Sequence, residues 1–169
     1  MGVSGCGKSS VGKALGCHYN VEFVDADDFH PLENKQHMAA GLALSDAMHE
    51  PWIALLQARL KQSAKAGRNC ALSFSGLRRL HRSKIRDLPF DSVFLHLQGE
   101  KQLIADRLAA RPEHGMPPNG MPPNLLDNQL ETLEQASKKE TIISIDIEQS
   151  LDLVIADAIV AVDQYLTMT

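Results

Sequence analysis

The run Gly2-Val3-Ser4-Gly5-Cys6-Gly7-Lys8-Ser9 constrains this chain more than any other stretch. It matches the spacing G-x-x-x-x-G-K-[ST], in which glycines let consecutive main-chain N–H groups face a phosphate while lysine and a hydroxyl follow at the head of a helix. The continuation Ser10-Val11-Gly12-Lys13-Ala14-Leu15 reads as that helix. A loop of this kind joins the carboxyl end of a buried strand to a helix N-terminus, so it selects an α/β fold with a parallel sheet. It also predicts a nucleoside triphosphate as ligand, cradled by Gly2, Val3, Ser4, Gly5, Cys6, Gly7, Lys8, Ser9 and Ser10. Lys8 would reach the β- and γ-phosphates, and Ser9 would offer its hydroxyl to Mg²⁺.

Only Met1 precedes the loop, so the strand that should feed it is expected to be missing. In a doubly wound sheet that strand is central, and its loss would expose two edges. The expectation drawn from this is a trimmed or misassigned start.

Downstream, apolar periodicity alternates between the two regular structures. A helix to about Cys17 is followed by a short strand at Val21-Glu22-Phe23-Val24 ending at Asp25, then by a polar helical stretch from Pro31 to Gly41. Pro51 is expected to open a long helix that carries Trp52, Leu55, Leu56, Ala58 and Leu60 and ends near Gly67. Next come a strand at Cys70 to Phe74, a basic helix from Leu77 to Arg86 and a strand from Val93 to Leu97. A helix from Gly99 to Arg111, a strand from Thr141 to Ile145 and a helix from Leu151 to Leu166 complete the order. The last helix repeats Leu151, Val154, Ile155, Ala158, Ile159, Val162 and Leu166 at i, i+3, i+4 spacing, one core-facing stripe. Strands alternating with helices predict a parallel sheet covered on both faces.

With 169 residues, 44% of them apolar, the chain can form one domain around one sizeable core. Its net charge of −4 comes without any lysine or arginine block, so neither nucleic acid nor an anionic membrane is an electrostatically favoured partner. Apolar runs are too short to span a bilayer, and no secretory signal is evident. Cys6, Cys17 and Cys70 are odd in number and lack C-x-x-C spacing, which suits reduced thiols in the cytoplasm.

One segment interrupts the alternation. Gly115-Met116-Pro117-Pro118-Asn119 repeats at once as Gly120-Met121-Pro122-Pro123-Asn124, and paired prolines exclude a helix interior or a central strand. With the helix Leu125 to Leu133 behind it, the stretch 112–134 reads as a lid.

Asp25 and Asp27 follow the second expected strand and fall at the carboxyl end of the sheet, beside the phosphate loop. Strand alternation would aim them alike, Asp25 holding the metal's water shell and Asp27 taking a proton from an attacking hydroxyl. His30 stands just beyond, placed to hydrogen-bond a polyol. Arg78, Arg79, Arg82 and Arg86 follow the next strand, with Arg78, Arg82 and Arg86 on one helical face, where they would grip an anionic substrate or form a solvated basic face. Arg107 and Arg111, four apart, are positioned to approach a γ-phosphate. Trp52, at helical spacing with Leu55 and Leu56, reads as core.

Together these blocks resemble the gluconate kinases, small P-loop kinases related in fold to shikimate kinase. The resemblance runs nearly end to end: the loop itself, Asp25-Ala26-Asp27-Asp28-Phe29-His30-Pro31, Met38 with Gly41, Leu44, Asp46 and Pro51-Trp52, Ser75 with Leu77, and Leu125-Leu126 with Gln129-Leu130-Glu131-Thr132-Leu133-Glu134. It implies a P-loop nucleoside-triphosphate-hydrolase-like three-layer fold, five-stranded and parallel in the family, with a lid. It further implies ATP and Mg²⁺, a sugar-acid substrate, most simply D-gluconate, and a homodimer. Lys8, Asp27, Arg78 and Arg107 would then be catalytic, with Arg107 and Arg111 also holding nucleotide. Asp27, His30, Arg78, Arg79 and Arg82 would bind substrate, and Ser9 and Asp25 would hold the metal. The chain differs from the family pattern at His37, Ala43, Met48 and His49, and its lid is altered and lengthened. Two alternatives stay open: shikimate-kinase-like phosphorylation of another hydroxy acid, and nucleotide binding without phosphotransfer.

Overall fold

Ser45 starts the longest helix: its side-chain oxygen accepts the Met48 N–H at 3.4 Å, and Asp46 in the first turn complements the helix dipole. The helix therefore runs from Asp46 to Lys65 and encloses Pro51, instead of opening at that proline as the sequence suggested. The cap and the acidic first turn act before the proline, whose missing N–H removes one intrahelical bond without breaking the helix.

The computed structural model describes residues 1–110 and 123–168. Its elements, in chain order, are α1 (Lys8–His18), β1 (Glu22–Asp25), a 3₁₀ turn (Ala26–Phe29), α2 (Leu32–Ala39), α3 (Asp46–Lys65), β2 (Cys70–Ser73), α4 (Arg79–Arg86), β3 (Phe94–Gln98), α5 (Lys101–Ala109), α6 (Pro123–Thr132), β4 (Ile142–Asp146) and α7 (Leu151–Met168). Arg111 and most of the proline-rich repeat lie outside the described residues.

The strands form two parallel pairs. β1 lies beside β2 with Asp25 opposite Ser73, and β3 lies beside β4 with Leu95 opposite Ile143. Met1 and Gly2 occupy the row between the pairs. The Gly2 N–H donates to Ser75 O and the Leu97 N–H to Met1 O, each at 3.0 Å, while the Met1 amine donates to Leu95 O. The expectation of a missing first strand thus meets a more specific finding: two residues bridge β2 and β3 where a full strand would stand. The spatial order β1, β2, Met1–Gly2, β3, β4 puts the phosphate loop at a crossover point of a doubly wound sheet, where ligands bind.

Alternation along β3 separates two apolar clusters. Phe94 joins Val24, Trp52, Ile53, Leu56, Leu60, Phe74 and Ile85 on the side of α3 and α4, whereas Leu97 joins Val11, Ile104, Leu126, Ile145, Val154 and Ala158 on the side of α1, α5, α6 and α7. The sheet is therefore covered on both faces, as the alternating pattern predicted. Trp52, Ile53, Leu56 and Leu60 are each at most 2% exposed, and burial of such side chains stabilises by about 1.5–3 kcal/mol apiece. On α7, Val154, Ala158 and Ala161 form the buried stripe, while Leu151 and Leu166 are half or more exposed, so the expected stripe is shorter at both ends.

Gly12 sets how closely α1 lies on β1. A Cβ there would sit 2.6 Å from the Phe23 ring, so only glycine permits this approach, and the approach brings the head of α1 to the end of β1. Ser9 and Asp25 meet as a result.

Candidate active site

The phosphate loop turns into α1 through Gly7, whose φ of 101° lies in the left-handed region that favours glycine. Beyond it, the first N–H groups of α1 lack intrahelical partners and present the positive end of the helix dipole. Lys8 Nζ donates to Val3 O at 2.9 Å and so lies folded over the loop. On the outer side of the loop, Gly5, Cys6, Gly7, Ser10 and Val11 form one wall of a cavity of about 170 Å³, and Arg107, Ile147, Leu151 and Val154 form the other. An Arg107 guanidinium nitrogen donates to Ile147 O at 2.8 Å, which fixes that side chain at the cavity wall.

Ser9, Asp25 and Asp27 form one connected unit. Ser9 Oγ donates to Asp25 Oδ2 at 2.7 Å and lies 3.4 Å from Ser73 Oγ. The other Asp25 oxygen accepts the Asp27 N–H at 3.2 Å, capping the 3₁₀ turn. The sequence expectation that strand alternation aligns the two aspartates does not hold, because the strand ends at Asp25 and Asp27 lies within the turn. Their proximity comes from the cap. Ser73 went unnoticed in the sequence, although its register opposite Asp25 is the consequence of pairing two short strands.

Oxygen donors alone gather at Ser9, Asp25 and Ser73, a set that suits a small hard cation retaining most of its water. The residues present therefore fit Mg²⁺. Asp27's carboxyl is held above the ordinary carboxylate range: desolvation is the largest cause, Asp25 and Asp28 add to it, and Lys8 opposes it. Its side chain is nonetheless 72% exposed, so solvent screening limits the effect. Lys8 and Asp27 thus act on each other electrostatically at one end of the sheet.

Beyond Asp27 lies a wall of rings. His30 stacks on Trp52 with centroids 4.3 Å apart and planes at 12°, and His49 approaches His81 at 4.8 Å. Trp52 is core, as read, and donates its indole N–H to Ala26 O at 2.7 Å, tying the wall to the 3₁₀ turn. His30 Nδ1 lies 3.4 Å from the Asn34 amide nitrogen, an arrangement that leaves the ring proton on Nε2, the atom 3.9 Å from Asp27 Oδ1. Desolvation lowers His30 and His81 to about 4, so both rings are neutral at neutral pH. His49, lowered for the same main reason, stood out in the sequence only as a departure from the family pattern, and His81 did not stand out at all; only the fold brings helices α3 and α4 together.

The arginines divide. Arg78 stands before α4 and its guanidinium lies 3.0 Å from Asp46 Oδ1, near His49 and His81. Arg79 faces Glu134, which accepts its main-chain N–H at 2.6 Å, and its side chain is 57% exposed. Arg82 departs from the expectation of a substrate-binding residue: it is fully buried, bonded to Glu140 at 2.6 Å and to the carbonyls of Gly76, Leu77 and Gln135. Arg86 pairs with Asp87 instead of sharing a substrate face with Arg78. The helix begins at Arg79, so Arg78 precedes it, and helical spacing could not relate the two.

Gln129 is a site residue that carried no assigned role in the sequence reading. Its side chain on α6 binds Ser4 of the phosphate loop at both ends of its carboxamide.

Comparison with known proteins relates the chain to characterised kinases. A family model described as shikimate kinase matches residues 4–163. The chain is similar to the gluconokinase of Gluconobacter oxydans strain 621H, with 37% identity over 161 residues covering 94% of this chain and 86% of that one. Among solved structures it is similar to an unliganded sugar kinase from Janibacter sp. HTCC2649, with a TM-score of 0.86, 34% identity and coverage of 96% and 91%. It is also similar to a gluconokinase from Sinorhizobium meliloti 1021, with a TM-score of 0.82, 32% identity and coverage of 100% and 95%.

Proposed function

We infer the chemistry from membership: the chain belongs to the shikimate kinase family and, within it, to the gluconokinases, and it transfers the γ-phosphoryl group of ATP to a hydroxyl of D-gluconate, giving 6-phospho-D-gluconate. The observation that carries the reading to individual residues is the chain of contacts from Ser9 through Asp25 to Asp27, with Lys8's charge felt at Asp27. It joins the phosphate-binding end of α1 to a carboxylate whose proton affinity is raised, the property a general base needs.

In this reading the amides of the phosphate loop and Lys8 hold the triphosphate and offset charge that develops on the transferred group. Ser9 and Asp25 would hold Mg²⁺, whose positive charge would offset that of the phosphates. Asp27 accepts the proton of the attacking hydroxyl, and neutral His30, with its Nε2 proton toward Asp27, helps orient that carboxylate. Arg78, tied to Asp46 yet 39% exposed, acts on His49 and His81 of the ring wall and takes the substrate carboxylate. Arg79 pairs with Glu134, and buried Arg82 supports the turn after β2 without touching substrate. Arg107 belongs to the base end of the nucleotide, because the cavity it lines also presents the apolar side chains of Val11, Ile147, Leu151 and Val154, so a guanidinium and apolar surface face the same space. We carry a homodimer and a cytoplasmic location as parts of the same proposal; among the described residues no helix is long and apolar enough to cross a membrane.

The test is ADP formation from ATP with a panel of D-gluconate, other sugar acids, shikimate and nucleoside monophosphates. ADP release that depends on D-gluconate is expected. Nucleotide binding without substrate-dependent ADP from any member of the panel would replace this reading with that of a nucleotide-binding protein.

A further inference from the structure

Leu125 and Leu126 anchor α6 in the core at 6% and 2% exposure. Gln129, three and four positions further, lies on the same helical face and is carried to the phosphate loop. Its Oε1 accepts the Ser4 N–H at 2.7 Å, and its Nε2 donates to Ser4 Oγ at 3.2 Å. One carboxamide thus satisfies the main chain and the side chain of a single loop residue. Next to it, Val3 O holds Lys8 Nζ at 2.9 Å. Two of the loop's groups that would face an anion, the Ser4 amide and the Lys8 ammonium, are thus engaged within the protein.

Past the end of α6, the same segment reaches the arginine side of the site. The Glu134 N–H donates to Leu77 O at 2.8 Å, and Glu134 Oε2 accepts the Arg79 N–H at 2.6 Å. The stretch from Gln129 to Glu134 is therefore a strap with one end on the phosphate loop and the other on the residues that precede and open α4.

We propose that Gln129 is a positioning residue that responds to the terminal phosphate of the nucleotide, accepting the Ser4 N–H when the loop is empty and donating its own N–H₂ to a phosphate oxygen when the loop is filled. A carboxamide is suited to this because it carries an acceptor and a donor that exchange places by rotation about one bond. A carboxylate would hold Ser4 but repel the phosphate, and an apolar side chain would do neither. The release of Ser4 makes its amide available to the anion together with Lys8, and the strap transmits the change toward Arg79. The inference rests on the reading that the loop takes ATP.

The experiment compares binding of a non-hydrolysable ATP analogue and of ADP to the full chain by calorimetry, in wild type, Gln129→Met and Gln129→Glu, with the Ser4 amide followed by NMR hydrogen exchange. Wild type should prefer the triphosphate, and its Ser4 amide should be protected when empty and change environment with the ATP analogue but little with ADP. Gln129→Met should lose protection at Ser4 in the empty protein, and its preference for triphosphate over diphosphate should fall about tenfold, the scale of a lost hydrogen bond to a charged group. Gln129→Glu should keep Ser4 protected yet lose the preference further. Equal loss of affinity for both nucleotides in Gln129→Met would mean that the glutamine only supports the loop, and would overturn the inference while leaving the kinase reading intact. A wild-type chain that binds neither nucleotide would overturn both.

Discussion

Arg82 and Glu140 hold each other's charge out of water. Arg82 Nε lies 2.6 Å from Glu140 Oε1, and the two side chains are 0% and 1% exposed. The remaining guanidinium donors bind the carbonyls of Gly76, Leu77 and Gln135, so the pair fastens the turn after β2 to the segment before β4. Breaking a buried pair strands the surviving charge, which costs about 3–5 kcal/mol. Arg82→Ala should therefore lower the unfolding free energy by an amount of that order, read as a lower urea midpoint at unchanged slope. Whatever folded enzyme remains should keep its KM for D-gluconate, whereas a residue in contact with substrate would raise it.

Acid should act in two stages. The unfolded chain's histidines take up protons near 6.5, while His30 and His81 resist until about 4 because burial penalises their charged form. Between those values the unfolded state binds more protons, so stability falls as pH falls. His49, Arg78, Lys35 and Lys84 add to the resistance and Asp46 opposes it. Glu140 is held down to about 2, chiefly by its hydrogen bonds with Arg82, so its contribution is present above about 4.5 and disappears toward 2. Urea midpoints measured from pH 8 to 3 should be flat at first and then decline below about 6.5, and His81→Phe should flatten the upper part of that decline. An unchanged slope in the variant would remove His81 from the account.

Asp27 and Asp25 should separate by readout. Asp27→Asn removes the proposed proton acceptor while leaving the Ser9–Asp25 contact, so kcat should fall about 10²- to 10⁴-fold with ATP affinity retained. Asp25→Asn weakens the acceptor that holds Ser9 and caps the 3₁₀ turn, so the Mg²⁺ concentration for half-maximal activity should rise along with a loss of kcat. Near-normal turnover in Asp27→Asn would assign the proton to another group.

These effects differ in how far a sequence reveals them. The phosphate loop is local: eight consecutive residues carry its glycines, its lysine and its hydroxyl, and their chemistry needs no partner to be recognised. Asp25 was legible because a strand end has a known place in a parallel sheet. Arg82 was not, since its chemistry depends on Glu140, 58 positions away, and a buried arginine looks like an exposed one in a run of basic residues. Gln129 is the extreme case, joined to Ser4 across 125 positions with no periodicity to announce it. The start of α3 was misread for a different reason: Pro51 is a louder signal than Ser45, but the cap satisfies backbone donors and the proline only removes one.

Arg107 distinguishes two ends of the nucleotide. The sequence suggested an approach to the γ-phosphate, but the guanidinium is fixed on Ile147 O at 2.8 Å beside the cavity outside the loop, with Gly7, Ser10 and Val11 across from it. A planar guanidinium lining a cavity with Val11, Leu151 and Val154 is suited to the face of a base, a contact that ATP and ADP would make equally. Arg107→Ala should therefore weaken both nucleotides by a similar factor, about 5- to 30-fold for a contact of about 1–2 kcal/mol, and leave kcat at saturating ATP within a few-fold of wild type. A γ-phosphate contact makes the opposite demand: ADP affinity unchanged and kcat reduced by 10³ or more, the scale of a lost arginine finger. Calorimetry with both nucleotides, beside saturation kinetics, decides between them.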